Sequence, residues 1–386
     1  MRRWVLAVGS GLLVLVLVAL GLSRSNTSPE TRVAIQNAVT ADTTGYTRAI
    51  KPRPFVFPED HGAHPDFKLE WWYLTGNLAT ADGRRFGYQF TIFRNALAPP
   101  PETSAVDTTD WTTRQLYFAH LAVTDVASGE FYAFERFSRG ASGLAGAQAE
   151  PFHVWIEGWS ITQDGADFMP LRVTATEGDV AIDFLLTQTK PTVLQGEAGL
   201  SQKGEGVGNA SYYYSMTRLA TEGTIRIGDQ TYDIDGQSWM DREWSTSMLS
   251  GTQEGWDWFS VQLDDGRDLM YFQLRESDPN VIPYTHSVLI APDGSKQDLG
   301  PVTLTVIDTW TSPESGIAYP SGWTLDAPDQ NLALTITPLI PNQELDVVVQ
   351  YWEGAVRIGG TSAGQPIGGY GYVEMTGYGG TPMFGI

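Results

Sequence analysis

The chain has 386 residues, contains no cysteine and carries a formal net charge of −21, with an isoelectric point of about 4.5. Without cysteine, the protein cannot form disulfides, a thiolate nucleophile or a thiolate metal site. The excess of negative charge argues against nucleic acid and anionic membrane surfaces as partners.

The chain begins with a segment typical of protein export. Arg2 and Arg3 precede an uncharged apolar run, 4–22, which is close to the roughly 20 residues needed to span a bilayer. We therefore expect residues 1–22 to be a signal peptide, or a signal anchor that holds the protein at the inner membrane. The rest of the chain would then be exported to the periplasmic or extracellular side. Residues 23–50 lack a periodic pattern and are expected to form a flexible linker.

A stretch with two histidines, HGAHPDFKLEWWYLTGNL at residues 61–78, leads into the first alternating run. His61 and His64 could bind a metal ion only as part of a rigid set of three or four ligands. Pro65 breaks the segment, and the other histidines lie in predicted strands without the spacing of metal ligands. We therefore expect no metal site here.

Glu70 has an unusual place in the strand that follows. By the two-residue period of a β-strand, it shares a face with Trp72 and Leu74. In apolar surroundings its pKa should rise, so Glu70 could be a proton donor. The alternative is a structural ion pair with an arginine such as Arg94 or Arg242.

Beyond residue 50 the chain shows short alternating runs bounded by turn residues, for example GRRFGYQFTIFRN and FHVWIEGWSIT. Alternation of apolar and polar residues over such lengths is typical of β-strands, and no long helical period interrupts it. The sequence therefore predicts an all-β protein.

Two pairs of segments within the chain resemble each other. Residues 71–94 and 256–275 each contain an aromatic pair, an Asp-Gly-Arg turn and an alternating strand that ends in arginine. Residues 222–244 and 353–378 share the pattern Glu-Gly-x-x-Arg-Ile-Gly, followed by a second strand. Because both pairs occur in the same order, we expect two related β units. Each is the size of a small barrel that could enclose one ligand.

The repeat also places the boundaries of these units. The first unit is predicted to cover residues 51–244 and the second to cover 245–386, which begins in a stretch rich in Ser, Thr and Gly. The alignment of the closing segments sets Asp241 against Glu374. We expect the tryptophans before the two Asp-Gly-Arg turns to close the floors of the barrels.

The segment DREW, at residues 241–244, is the second candidate site. Asp241 and Glu243 share a strand face with Trp239, and Arg242 points to the other face. Two carboxylates beside a tryptophan could act as proton donor and water-orienting base if their pKa values differ. The alternative is a salt-bridge cluster at the end of a strand. Serine hydrolase chemistry lacks support, because no Ser/His/Asp set stands out, and the chain has no phosphate-binding loop.

Several of these segments resemble a bacterial secreted lipocalin-like family, which is related to carotenoid 1,2-hydratase (hydroxyneurosporene synthase) and more distantly to kievitone hydratase. The resemblance is carried by FPEDHGAHPDFKLEWWYLTGNL, DGRRFGYQFTIFR, YFAHLAVTD, SYYYSMTRL, DREWSTS, GWDWFSVQLDDGR and YWEGAVRIGG. It implies a tandem pair of lipocalin-like (calycin) antiparallel β-barrels.

The resemblance also implies a bulky lipophilic ligand, isoprenoid or carotenoid-like, and hydration of a C=C bond as the chemistry. An acid would protonate carbon, aromatic faces would stabilise the cation by about 0.5–2 kcal/mol per ring, and water would capture it without a cofactor. The catalytic candidates are Asp241, Glu243 and Glu70. The ligand-binding candidates are Trp72, Tyr88, Arg94, His120, Trp239, Trp256 and Trp258. A non-catalytic carrier of lipid, pigment or quinone at the membrane is the alternative.

Overall fold

Strands make up nearly all regular structure of the residues that the structure describes. The computed structural model describes residues 42–100, 114–246, 249, 252–278 and 280–380. The predicted signal segment and most of the predicted linker lie outside these ranges. Within them, the chain forms strands and two short 3₁₀ turns, Glu59–His61 and Pro328–Gln330. No helix in the described part of the chain is long and apolar enough to cross a membrane. The all-β prediction is confirmed.

The first sheet is antiparallel and contains thirteen of the described strands. These are β1 Leu69–Ala79, β2 Arg85–Ala96, β3 Gln115–Asp125, β4 Glu130–Arg139, β5 Ala145–Gln148, β6 His153–Ile156, β7 Trp159–Gln163, β8 Leu171–Glu177, β9 Val180–Gln188, β10 Val193–Leu194, β11 Leu200–Gln202, β12 Ala210–Ile227 and β13 Gln230–Ser245. Their spatial order is β4-β3-β2-β1-β13-β12-β9-β8-β7-β6-β5, with β10 and β11 paired to β12. The first strand therefore pairs with the last, which curls the sheet.

The second sheet is also antiparallel and contains ten of the described strands. These are β14 Gln253–Leu263, β15 Asp268–Glu276, β16 Tyr284–Ile290, β17 Lys296–Asp298, β18 Thr303–Thr311, β19 Ala318–Ala327, β20 Leu332–Pro338, β21 Glu344–Leu345, β22 Tyr351–Ser362 and β23 Gln365–Met375. Their order is β17-β16-β15-β14-β23-β22-β20-β19-β18, with β21 paired to β22. Here too the first strand pairs with the last, so β14 and β23 occupy the places of β1 and β13.

The two Asp-Gly-Arg segments turn the opening hairpins of both sheets. Gly83, between β1 and β2, has φ +91°, and Gly266, between β14 and β15, has φ +87°. Residues with a side chain rarely adopt this conformation, so glycine fits both turns. The matched hairpins account for the similarity of residues 71–94 and 256–275.

Side chains fill the interior of the first sheet. The even-numbered residues of β1 point inward, where Trp72 and Leu74 pack with Phe90, Tyr214 and Trp244 in one buried cluster. A ligand-enclosing interior was predicted here, but the large aromatic and aliphatic residues form a packed core instead. The inward face of these strands is therefore occupied by the core. Only the outer face of β1 and its neighbouring strands is open to contact with the second sheet or with a ligand.

The outer faces of the two sheets pack against each other. Tyr73 and Trp239 of the first sheet share a buried apolar cluster with Trp258 and Phe272 of the second. Gly87 on β2 permits close approach, because a Cβ at this position would lie 2.5 Å from the Cβ of Ala355. The interface between the sheets includes β1, β2, β3, β12 and β13 on one side and β14, β15, β16, β22 and β23 on the other.

Candidate functional site

A cleft lies between the two sheets, on the faces that they turn toward each other. Its empty volume is about 910 Å³, including the part that opens to solvent. Its apolar walls are formed by Leu69, Trp71, Phe93, Leu249, Trp256, Trp258, Phe272 and Leu274. Its polar groups belong to Tyr73, Lys203, Tyr213, Asp241, Glu243, Ser245 and Glu374. The cleft is thus a mainly apolar site with three carboxyl groups.

Strand parity and register bring these carboxyls together. On the outer face of the first sheet, Asp241 of β13 lies opposite Tyr73 of β1. On the outer face of the second sheet, Glu374 of β23 lies opposite Trp258 of β14. The two halves of the internal repeat therefore contribute one carboxyl each from equivalent strands. The alignment of Asp241 with Glu374 in the sequence corresponds to this geometry.

Asp241 is almost completely buried and accepts three hydrogen bonds. Tyr213 Oη donates to Oδ2 at 2.6 Å, while Ser215 Oγ and Trp239 Nε1 donate to Oδ1 at 2.5 and 2.7 Å. Burial raises the pKa of Asp241, the three donors lower it, and the nearby Glu243 adds to the rise. The resulting pKa is about 7. Asp241 can therefore gain or lose a proton near neutral pH.

Glu374 has the same property on the opposite side. Trp256 Nε1 donates to its Oε2 at 3.0 Å. Burial raises the pKa of Glu374 to about 7; Glu243 and Asp241 contribute to the rise, and the Trp256 donor and Lys203 oppose it. Sequence analysis did not include Glu374 among the candidates, although its alignment with Asp241 was the signal that could have identified it.

Glu243 is paired with the lysine of the cleft. Lys203 Nζ lies 2.9 Å from Glu243 Oε1, and it also lies over the rings of Phe272 and Tyr213, at 4.6 and 5.4 Å from their centroids. Glu243 is therefore engaged by a cation, whereas the three donors on Asp241 are neutral. Lys203 and Tyr213 are cleft residues that sequence reasoning missed, because no local pattern marks either of them.

We expect stability to fall as the pH rises through about 7. Folding raises the pKa of Asp241 and Glu374 from their ordinary values of 3.8 and 4.5 to about 7. Between these pH values the folded state binds more protons than the unfolded state. The stabilising contribution is therefore fully present below about pH 4 and is lost as the pH rises through about 7. Thermal melts at about pH 5 and pH 8 measure the fall. A variant that combines Asp241→Asn with Glu374→Gln should show a smaller fall, and an equal fall in both proteins would contradict the assignment.

Glu70 is a structural lock at the end of the first sheet and does not line the cleft. It has no exposed surface, and its two oxygens accept hydrogen bonds from Arg94 Nε and Arg242 Nη2. The backbone N–H of His64 donates to both oxygens at 3.0 and 3.1 Å. Burial alone would raise the pKa of Glu70, but the two guanidinium groups hold it well below its usual range. A carboxylate held ionised in this way does not fit the predicted role of proton donor.

The histidines of the opening stretch support this lock and the core beside it. His64 Nδ1 lies 3.2 Å from Glu70 Oε2, and its Nε2 lies 3.0 Å from Asp60 Oδ1. His61 Nδ1 lies 2.6 Å from the Tyr214 hydroxyl. No three His, Asp or Glu side chains of the described ranges are arranged to hold a metal ion. The stretch anchors the start of β1.

Five of the predicted ligand-binding residues do not line the cleft. Trp72 packs in the first core and donates from Nε1 to the His61 carbonyl at 2.8 Å. Tyr88 also lies in that core, with its hydroxyl 2.7 Å from Ser238 Oγ. Arg94 is committed to Glu70. All three lie on strand faces that point inward, whereas the cleft is on the outer face.

His120 and Trp239 lie between the sheets but behind the cleft wall. His120 Nδ1 is 2.7 Å from the Tyr351 hydroxyl, and Trp239 holds Asp241 by its indole N–H. Of the predicted ligand-binding set, Trp256 and Trp258 line the cleft. Trp258 Nε1 donates to the Tyr213 hydroxyl at 3.3 Å. The two tryptophans therefore form walls between the sheets and do not close barrel floors.

Two curled antiparallel sheets with matching strand orders, and a cleft with apolar walls and buried carboxyls between them, define a tandem β protein of the lipocalin-like type. The pattern of the AttH-like family matches residues 48–378, and the chain belongs to that family. The family expected from the sequence is confirmed. No protein of curated function matches the chain at the level of sequence.

Solved structures show how widely this fold extends. An AttH-like protein of Nitrosomonas europaea is 34% identical, has a TM-score of 0.75, and is aligned over 86% of this chain and 99% of its own. Kievitone hydratase of Nectria haematococca is 17% identical, with a TM-score of 0.66 over 86% and 96% of the two chains. CghA is 11% identical, with a TM-score of 0.50 over 88% and 97%. The last two similarities are similarities of fold.

Proposed function

We propose that the protein binds a lipophilic small molecule in the cleft between the sheets and hydrates a C=C bond there. The observation that carries this proposal is the pair Asp241 and Glu374, two carboxyls with pKa values of about 7 in a mainly apolar cleft. Near neutral pH each can be protonated or ionised, as a general acid and a general base must be. An isoprenoid or carotenoid-like ligand fits the apolar walls.

The reaction uses one carboxyl in each form. The protonated carboxyl donates its proton to one carbon of the double bond, and the π electrons form the new C–H bond. The other carbon becomes a cation, which the aromatic walls stabilise by about 0.5–2 kcal/mol per ring. A water oxygen attacks this carbon, and the ionised carboxyl accepts the proton that the water releases. The product is substrate plus water, and the two carboxyls have exchanged protonation states.

The family supports this reading in general terms. One of the similar folds is a hydratase by name, kievitone hydratase, and the addition of water to a double bond is the reaction that the two carboxyls could perform. In the proposal, the apolar segment at residues 4–22 directs the chain to the periplasmic or extracellular side, where it would meet lipophilic molecules at the inner membrane.

A carrier is the second candidate function, and the apolar walls of the cleft favour it. A carrier of lipid, pigment or quinone needs an apolar pocket with few polar groups, and it gains nothing from carboxyls with raised pKa values. The two candidates differ in what happens to the ligand: a hydratase changes its mass by one water, whereas a carrier releases it unchanged.

The ligand can be identified and the reaction tested in two steps. The protein is purified, extracted with organic solvent, and the extract is analysed by mass spectrometry against an extract of the Asp241→Asn variant. Each ligand found is then incubated with wild-type protein in H₂¹⁸O. We expect a product that is heavier by one water and carries ¹⁸O. Ligand that is bound and recovered without labelled oxygen would overturn hydration and leave the carrier.

A further inference from the structure

We propose that Glu353 holds a proton behind the cleft and exchanges it with solvent through Tyr351, His120 and Glu135. The inference rests on the proposed function, because it supplies the route by which the cleft carboxyls return to their starting protonation states. Three geometric observations support it. Glu353 is a buried carboxyl whose oxygens have no hydrogen-bond partner of normal geometry in the described part of the chain, and it lies beside the cleft carboxyl Glu374. A line of polar side chains leads from it to the edge of the first sheet.

Glu353 lies directly beside the cleft wall. On β22 it is the cross-strand neighbour of Glu374 on β23, so the two side chains share a face of the second sheet. Glu353 has no exposed surface. By distance and angle, neither of its oxygens has a hydrogen-bond partner among the described residues, although the hydroxyls of Tyr73 and Tyr351 are near enough to act on its pKa. An ionised carboxylate in such a place would be costly, so the group is expected to be neutral.

The surroundings of Glu353 favour the protonated form. Burial raises its pKa well above the usual range, and Glu374 raises it further; the hydroxyls of Tyr73 and Tyr351 oppose the rise. Tyr73 also lines the cleft, so it stands between Glu353 and a bound ligand. Tyr372, on the same strand as Glu374, is a further neighbour whose pKa Glu353 raises.

A line of side chains connects this carboxyl with the edge of the first sheet. Tyr351, two residues from Glu353 on the same face of β22, has its hydroxyl 2.7 Å from His120 Nδ1. On the far side of the imidazole, His120 Nε2 lies 3.6 Å from Glu135 Oε2. Glu135 is on β4, the edge strand of the first sheet, where its side chain is 8% exposed and its Oε2 also accepts from the Val348 N–H at 3.0 Å. The ring of His120 can accept a proton at one nitrogen and release one from the other.

This route would complete the reaction cycle. After hydration, the carboxyl that donated is ionised and the one that accepted is protonated, both inside a cleft that a ligand closes. Glu353 neighbours Glu374 directly and Asp241 by way of the Tyr73 hydroxyl, so it can give a proton to whichever carboxyl is ionised and take up the proton of the other. Both cleft carboxyls then return to their starting states with no net gain or loss of protons, and exchange with solvent through His120 keeps Glu353 protonated. The route transfers protons only and needs no oxidant, reductant or cofactor.

Isotope exchange tests the route without a substrate. Wild-type protein is mixed rapidly into D₂O at about pH 5, where carboxyls with pKa values of about 7 are protonated. The infrared C=O band of buried protonated carboxyls is then followed as it shifts on deuteration. Glu353→Gln identifies the component that belongs to Glu353. Tyr351→Phe removes one hydroxyl from the route, and His120→Phe removes the imidazole.

We expect Tyr351→Phe and His120→Phe each to slow deuteration of the Glu353 component by about tenfold or more. The matched control is His153→Phe, which removes a histidine that stacks on Trp155 in the first sheet, away from the route. The control should exchange at the wild-type rate. Exchange at the wild-type rate in both route variants, or no band lost in Glu353→Gln, would overturn the proposal.

The result is independent of the test for hydration. If exchange depends on His120 but no labelled product is found, the proton route stands and the proposed reaction fails. If hydration is found and exchange is unaffected by both route variants, the reaction stands and the route fails.

Discussion

Replacing Asp241 with asparagine should lower the turnover of the identified ligand by about 10²–10⁴-fold, the usual contribution of a positioned acid or base. The amide has the shape of the carboxyl and can still accept from Trp239 and Ser215, but it cannot transfer a proton. Ligand binding should be retained, because the apolar walls are unchanged. Steady-state rates measure turnover, and quenching of tryptophan fluorescence measures binding, since Trp256 and Trp258 line the cleft.

The control for this substitution is Asp179→Asn, the same chemical change at an exposed position before β9. It should leave both turnover and binding at wild-type values. Full turnover in Asp241→Asn would exclude the carboxyl from the chemistry. Loss of binding together with loss of turnover would show that Asp241 shapes the site and would not support a role in proton transfer.

Replacing Glu70 with glutamine should destabilise the protein by about 3–5 kcal/mol, the effect of breaking a buried ion pair on one side. The substitution leaves the guanidinium groups of Arg94 and Arg242 buried without their counter-charge. The side chains of both arginines are almost fully buried, at 1% and 0% exposure. Chemical denaturation with a linear extrapolation measures the loss.

Asp183→Asn is the matched control. It removes a carboxylate from a surface pair with Arg172, in which the two side chains are 45% and 47% exposed. A pair of this kind contributes about 0–1 kcal/mol. A loss of less than about 1 kcal/mol in Glu70→Gln as well would mean that Glu70 is not a lock, and its role as a proton donor would have to be considered again.

Much of this fold can be predicted from the sequence, because strand alternation and hairpin turns are local signals. The Asp-Gly-Arg hairpin occurs twice in the sequence, and β1 and β14, the first strands of these two hairpins, occupy equivalent positions in their sheets. Parity also separated Asp241 and Glu243 from Arg242 correctly. These features depend on neighbours in the chain, which the sequence displays directly.

The position of the ligand cleft could not be predicted in this way. Parity tells which residues share a face, but not whether that face encloses a core or meets a second sheet. Trp72 and Trp256 are both tryptophans in opening strands, yet the first packs inside a sheet and the second lines the cleft. The sequence therefore does not tell whether the space for a ligand lies inside a sheet or between the two sheets. Lys203 reaches the cleft from the loop between β11 and β12, which no periodic pattern describes.

The lock at Glu70 was one of two alternatives that sequence alone left open. Arg94 is its direct cross-strand neighbour, but Arg242 reaches it diagonally from β13. That contact requires the register between the first and last strands of the sheet, which are far apart in the chain. Only the three-dimensional structure supplies it.

The matched origin of the cleft carboxyls has an evolutionary consequence. Asp241 and Glu374 come from equivalent strands of two related units, whose equivalent outer faces meet. A single ancestral unit that paired with a second copy of itself would have placed two identical carboxyls across a shared seam, as a twofold interface does. If gene duplication and fusion then joined two such copies, each could diverge in its own interior. At the interface between the two units, a substitution in one unit changes the cleft that both units line. Substitutions at this interface should therefore be correlated between the two halves of the chain.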